Sequence, residues 1–247
     1  MARALLEVAA GSLASALAAQ EGGADRVELC GSLAGGGVTP SYGLIAAARE
    51  RLRIPLYVLV RPRAGDFLYD DAELDAMCRD VEACARLGCD GVAIGALDAD
   101  GEVDQARCRA LVAAAGKLGV TFHRAFDAAR HPSRALEEIV ALGCERVLTS
   151  GGRADALEGA PAIAALAAQA AGRIRVMAGA GIRPDNLAAV AARSHADEFH
   201  ASARALRRSA MHWRNEQLRD LAPDREESDA ATVAALAAAL RGAAPRD

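Results

Sequence analysis

Short apolar runs recur along the chain, each about five residues long, as expected of buried parallel strands. They are Ala4–Ala9, Arg26–Cys30, Leu56–Arg61, Gly91–Gly95, Val120–Arg124, Arg146–Thr149, Arg175–Ala178 and Glu198–Ala201. Ala- and Leu-rich stretches of helical period lie between them, over 11–21, 41–52, 71–87, 103–116, 132–142, 155–171 and 185–193. A last helix covers 229–241, capped by Ser228 or Asp229 and ended by Gly242. One phrase punctuates the pattern: a helix stops at Gly or a similar breaker, an acidic residue often follows, and a β-rich run begins. It appears in GGADRVELC (22–30), LGCDGVAIG (88–95), LGVTFHR (118–124), LGCERVLTS (142–150) and SHADEFHAS (194–202). Glycine there supplies the left-handed turn that ends a helix.

Strict alternation of strand and helix predicts a parallel sheet with right-handed crossovers. Eight repeats in 247 residues predict a TIM-like (β/α)8 barrel of class α/β, in one domain spanning 1–247. The strands and helices occupy 4–201, a charged loop extension 202–228, and the final helix 229–241. An open doubly wound sheet is the alternative. It calls for a glycine-rich dinucleotide turn after the first strand, and AAGSLAS has no G-x-G-x-x-G. The glycine-rich link 31–43 and the extension 202–228 are expected over the C-terminal face, as lids or as plain surface loops.

Alternate residues of a barrel strand point outward to the helices and inward to the barrel. Placing the large apolar residues outward turns Glu7, Glu28, Cys30, Arg61, His123, Thr149, His200 and Ser202 inward near one mouth. Strand C-termini are where such barrels keep their chemistry. Unpaired buried charge is costly, so these groups must pair with one another or meet a ligand. Glu7, Glu28, Arg61, His123 and His200 are therefore the catalytic candidates, against a self-satisfied polar network of the same residues.

The loops add an anion site. Arg61 and Arg63, in RPRAGDF, offer planar forks for a carboxylate or phosphate, with Asp66 able to hold one of them. Ser150 and Gly151 after the sixth strand, Gly179 and Gly181 after the seventh, and Ser202 after the eighth have the composition of a phosphate cradle.

Composition narrows the classes. The formal net charge of −4 leaves no footprint for nucleic acid or an anionic membrane surface. No run of 18 apolar residues is present, so no membrane span is expected. The N-terminal stretch, interrupted by Glu7, reads as strand, Gly-Ser cap and helix and not as a signal peptide. The six cysteines have no CxxC spacing, which fits free thiols in a reducing cytoplasm and neither a disulfide framework nor a zinc site. Lys117 is the only lysine and precedes the fifth strand, at the wrong mouth for Schiff-base chemistry.

The phrases GGADRVELC, VRPRAGDFLY, GALDADGEVD, VTFHRAFD, RVLTSGG, VMAGAGI and EFHASAR, in this order over about residues 4 to 215, resemble the CutC copper-homeostasis family. The resemblance implies a cytosolic TIM-like barrel that forms homo-oligomers and handles copper, with copper(I) bound at the cysteine of the ELC phrase, Cys30. The residues themselves leave a second reading open. This is an isomerase- or lyase-type enzyme acting on a small anionic, possibly phosphorylated, metabolite, with His123 or Glu28 as acid/base and Arg61 and Arg63 as clamp. It needs either no metal or a divalent metal held by Glu7, Glu28, His123 and His200. A purely structural or interaction role is the third.

Overall fold

The helix stops predicted from the Leu-Gly phrases are left-handed turns. Gly88 and Gly143 have φ of +73° and +82°, values that cost other residues a Cβ clash. The computed structural model describes residues 4–217 and 223–242. In it eight parallel strands close into a barrel in chain order. They are β1 (Leu5–Ala10), β2 (Arg26–Leu29), β3 (Leu56–Leu59), β4 (Gly91–Ile94), β5 (Gly119–Phe122), β6 (Arg146–Thr149), β7 (Arg175–Gly179) and β8 (Glu198–Ala201). β8 returns to β1 with Leu5 beside Glu198 and Glu7 beside His200, so the sheet has no free edge. The helices are α1 (Leu13–Glu21), α2 (Tyr42–Arg51), α3 (Asp71–Arg86), α4 (Gln105–Ala115), α5 (Pro132–Ala141), α6 (Ala160–Ala170), α7 (Leu187–Ser194) and α8 (Ala230–Gly242). The outward residues Val8, Val27, Val58, Ile94, Phe122, Val147, Val176 and Phe199 form one buried core with the helices. None of the described helices is long and apolar enough to cross a membrane.

Three expectations are corrected. The extension 202–228 is not all loop: β9 (Arg204–Arg207) pairs antiparallel with β10 (Arg225–Ser228). Its strands are exposed and charged, so they carry no hydrophobic signature; ion pairs such as Arg204–Glu226 at 2.5 Å link them instead. Ser228 ties the ribbon to the barrel by donating from Oγ to the Ser202 carbonyl at 2.9 Å. Helix α6 begins at Ala160, not 155, because Pro161 suits a first turn and the chain before it is a series of turns. Strand β5 ends at Phe122, and the residues after it coil into a 3-10 turn, Arg124–Ala128, with His123 as its cap.

The lower interior of the barrel is ionic. Arg26 pairs with Glu7 and Glu198, and Arg146 Nε donates to Glu198 Oε2 at 3.1 Å. The two guanidinium carbons lie 5.0 and 4.8 Å from the centroid of the Tyr57 ring. Gly91 makes room for that ring, since a Cβ at 91 would overlap it. The ionic layer forms the floor on which the upper, functional layer stands.

Candidate functional site

Above that floor the strand C-termini surround a cavity of about 700 Å3. Glu28, Cys30, Arg61, His123, His200 and Ser202, gathered by parity, all line it. The loop 31–43 contributes Leu33, Gly35 and Gly36, and the β9–β10 ribbon contributes Arg204 and Glu226. Both segments flagged from the sequence therefore form pocket wall.

Glu7 lies below, 1% exposed, and reaches the pocket only through a neighbour. One of its oxygens pairs with Arg26; the other accepts from His200 Nδ1 at 2.7 Å. The opposite ring nitrogen of His200, Nε2, is 3.8 Å from Glu28 Oε2. Glu7, His200 and Glu28 thus form a line from floor to pocket. Burial pushes the Glu7 carboxyl up, but Arg26 and His200 outweigh it and bring it to about 2. Burial dominates at Glu28, which rises to about 7 despite the pull of His200. Burial pulls the His200 imidazole down, but Glu28 and Glu7 more than reverse this and the net shift is upward. One fixed carboxylate thus orients an imidazole beside a carboxyl that changes protonation near neutrality, which is the arrangement acid–base chemistry needs.

His123 differs from the acid/base expected of it. Its Nδ1 accepts from the Ala125 N–H at 3.1 Å, so the ring proton is on Nε2. Burial, reinforced by the Arg61 charge, lowers its pKa to about 3. A histidine held neutral across the physiological range is a hydrogen-bond donor and not a proton carrier. Nor does it join Glu7, Glu28 and His200, whose donor atoms alone among the described residues gather within 4.8 Å as a metal-type group. The four-residue metal site is therefore reduced to three.

These two shifts act on stability in opposite directions. Between pH 7 and 4.5 the folded state holds a proton on Glu28 that the unfolded chain lacks, so this carboxyl favours folding as pH falls. Between 6.5 and 3 the unfolded chain holds a proton on His123 that the folded state lacks, so this imidazole disfavours it. Urea unfolding of Glu28→Gln is expected to show stability falling from pH 6.5 to 4.5 by up to about 1.4 kcal/mol per pH unit. His123→Phe is expected to become more stable over the same interval. Parallel pH profiles for the two variants would contradict both assignments.

The anion site takes a different form from the expected one. Arg63 is not part of the pocket wall: its Nε donates to Glu73 at 2.6 Å and its Nη1 to Asp66 at 3.0 Å. Arg61 lines the pocket, but its terminal nitrogens donate to the carbonyls of Gly37 at 3.0 Å and Gly65 at 2.7 Å. It therefore acts as a fixed charge and a loop clasp. Ser150 and Gly151 do not face the pocket. The cradle after β6 holds an anion, but that anion is the carboxylate of Asp127. Asp127 Oδ1 accepts from Thr149 Oγ1 at 2.6 Å and Gly152 N at 3.0 Å, Oδ2 accepts from Ser150 N at 3.0 Å, and Arg124 pairs with it. Thr149 accordingly points away from the mouth, contrary to the parity grouping. Gly179 packs between Leu148 and His200 in the barrel wall, whereas Gly181 lines the pocket.

Cys30 does not have the surroundings of a copper(I) ligand. Its thiol is fully buried against Leu59, Ala93 and Leu33, and it donates weakly to the Ala10 carbonyl at 3.7 Å. Burial and the Glu28 charge push it up to about 12, so it is a thiol and not a thiolate. Copper(I) wants two or three soft donors. Among the described residues no second thiol is in the cluster around Cys30, and the Met177 thioether is taken by Arg26 Nη2 at 3.5 Å.

Pattern reading missed Arg26, Arg146 and Glu198 as the floor, and Asp127 as the internal anion. The signal for the floor was present, since Arg26 and Glu198 share the inward parity of Glu28 and His200.

Residues 4–205 match the family model described as the CutC family. A Xylella fastidiosa (strain Temecula1) family protein CutC is 61% identical over 92% of this chain and 85% of its own length. A Xanthomonas axonopodis pv. citri family protein CutC is 60% identical over 96% of this chain and 99% of its own. Among solved structures, a CutC from Streptococcus agalactiae, provisionally described as a copper homeostasis protein, superposes with a TM-score of 0.77 at 32% identity. It covers 81% of this chain and 98% of its own.

Proposed function

The chain belongs to the CutC family, and from that premise we propose that its barrel mouth is a pocket for a small anionic metabolite on which Glu28 and His200 perform proton transfer. The family's link to copper homeostasis passes to this chain as a physiological context, without a copper(I) site at Cys30. The observation that carries this reading is the line Glu7–His200–Glu28. A carboxyl that titrates to about 7 opens into the cavity, beside an imidazole that a buried carboxylate orients at 2.7 Å. Above about pH 7 Glu28 accepts a proton from the ligand; below it Glu28 returns one.

Two measurements test the reading together. In a screen of small carbonyl acids and phosphorylated metabolites in D2O, the wild type is expected to exchange a carbon-bound proton of at least one member. Glu28→Gln is expected to lower that rate by about 10²–10⁴-fold. In a competition titration with a copper(I) chelator, wild type and Cys30→Ser are expected to bind alike. No exchange by the wild type, together with stoichiometric copper binding lost in Cys30→Ser, would reverse the proposal in favour of copper handling.

A second reading has its own observation. Glu7, Glu28 and His200 place one donor atom each within 4.8 Å, a hard set that suits a divalent cation better than copper(I). Glu7 and His200 already satisfy each other, which favours the metal-free relay. Stoichiometric manganese or magnesium in the purified protein, lost in His200→Gln, would favour the metal.

A further inference from the structure

The pocket reading leaves one group without a task. His123 is 3% exposed, lines the cavity, and has no partner at Nε2. A buried donor without an acceptor costs about 1–3 kcal/mol, and native structures keep few of them. The surroundings hold the ring rigidly in this pose. The Ala125 N–H fixes Nδ1. The Phe67 ring packs against the imidazole with centroids 5.3 Å apart. Gly95 lies so close to the Nδ1–Cε1 edge that a Cβ there would come within 2.7 Å of the imidazole. Arg61 stands beside Phe67, its guanidinium carbon 5.0 Å from that ring centroid, with its terminal nitrogens engaged by loop carbonyls. It supplies positive charge to this corner without offering those nitrogens as direct ligands.

We infer that the Nε2–H of His123, backed by the Arg61 charge, is the binding point for an sp² oxygen of the ligand, so that the pocket takes a small carbonyl or carboxylate compound with Glu28 facing its adjacent carbon. The inference rests on the pocket reading above and narrows its substrate class. In the forward step the proton on that carbon moves to the Glu28 carboxylate. The C–H electron pair becomes the carbon–carbon π bond, and the carbonyl π pair goes to oxygen, giving an enolate. The enolate oxygen accepts from His123 Nε2–H. Return of the proton from Glu28 to the same or a neighbouring carbon restores the carbonyl, and no oxidant or co-reactant enters. A neutral imidazole suits this role, because it stabilises the oxyanion without surrendering its proton to it.

The test uses the intact protein and ring-nitrogen NMR, with oxalate and acetate as probes and inorganic phosphate as a tetrahedral control. The His123 resonance is expected to report a proton on Nε2 through neutral pH and to move on addition of oxalate. Oxalate affinity is expected to fall about tenfold or more in His123→Phe, which removes the donor, and to recover in part in His123→Gln, which restores one. Glu28 is expected to titrate near neutrality in both variants, because its shift does not depend on His123. A His123 proton on Nδ1, an Nε2 signal indifferent to every probe, or equal oxalate affinity in His123→Phe and wild type would overturn the inference. If Glu28 still titrates near neutrality, the pocket reading survives that outcome. If Glu28 titrates as an ordinary carboxylate, the pocket reading itself has failed.

Discussion

Replacing Arg26 with Met is expected to lower folding stability at pH 7 by about 3–5 kcal/mol, the usual range for breaking a buried ion pair from one side. Arg26 is 4% exposed and is the charge shared by Glu7 and Glu198. Without it, Glu198 keeps Arg146 at 3.1 Å, but Glu7 keeps only His200. The Met side chain restores volume against the Tyr57 ring but no charge. The loss is expected to depend on pH in a way that a packing defect would not. In the wild type the Glu7 carboxyl sits at about 2, against 4.5 in the ordinary state. Its contribution is thus complete above pH 4.5 and lost as pH falls toward 2. In Arg26→Met that carboxyl rises and takes up a proton more readily, so the gap between variant and wild type narrows on going from pH 7 to 4. Adding Glu7→Gln to the variant is expected to recover part of the stability, because the carboxylate left without Arg26 is then removed, whereas Glu198 still has Arg146. Urea midpoints for the three proteins at the two pH values decide this. A gap of constant size would show that Arg26 acts by packing alone.

The second large effect concerns Asp127. Asp127→Ala withdraws a carboxylate, only 9% exposed at its side chain, that accepts from Ser150 N, Gly152 N and Thr149 Oγ1 and pairs with Arg124. Stability is expected to fall by about 3 kcal/mol, several unsatisfied donors being partly relieved by entering water. The vacated loop is left with backbone N–H groups aimed at one point, a hydroxyl and a guanidinium, which is an anion site. Inorganic phosphate is expected to raise the thermal midpoint of Asp127→Ala and to leave the wild type unchanged at the same ionic strength, with sodium chloride as the control. Equal effects of phosphate on both proteins would mean that the carboxylate does not occupy the cradle.

These two sites show what the sequence made legible. Alternating strand and helix phrases predict a closed parallel barrel, and parity brings Glu28, Cys30, Arg61, His123, His200 and Ser202 to one mouth. Both readings rely on periodicity, which depends on backbone geometry alone. Roles within the mouth were less accessible because they depend on local hydrogen bonds that carry no period. His123 and Arg61 look like chemistry from parity, yet a single N–H from Ala125 makes His123 a neutral donor, and the carbonyls of Gly37 and Gly65 occupy Arg61. The glycine-rich turn after β6 does bind an anion, but composition cannot tell a ligand's phosphate from an aspartate 22 residues away in the chain. The β9–β10 ribbon escaped because its strands bury little and are linked by charge.

The central claim is that Glu28 opens into the pocket with its protonation poised by burial against His200, which Glu7 orients. Carbon-detected NMR of the Glu28 side-chain carboxyl across the pH range tests it most directly, in the wild type and in His200→Gln. The account predicts a midpoint near 7 in the wild type, moving further upward in His200→Gln as the favourable imidazole charge is removed. A Glu28 midpoint in the ordinary carboxylate range, unmoved by His200→Gln, would contradict it.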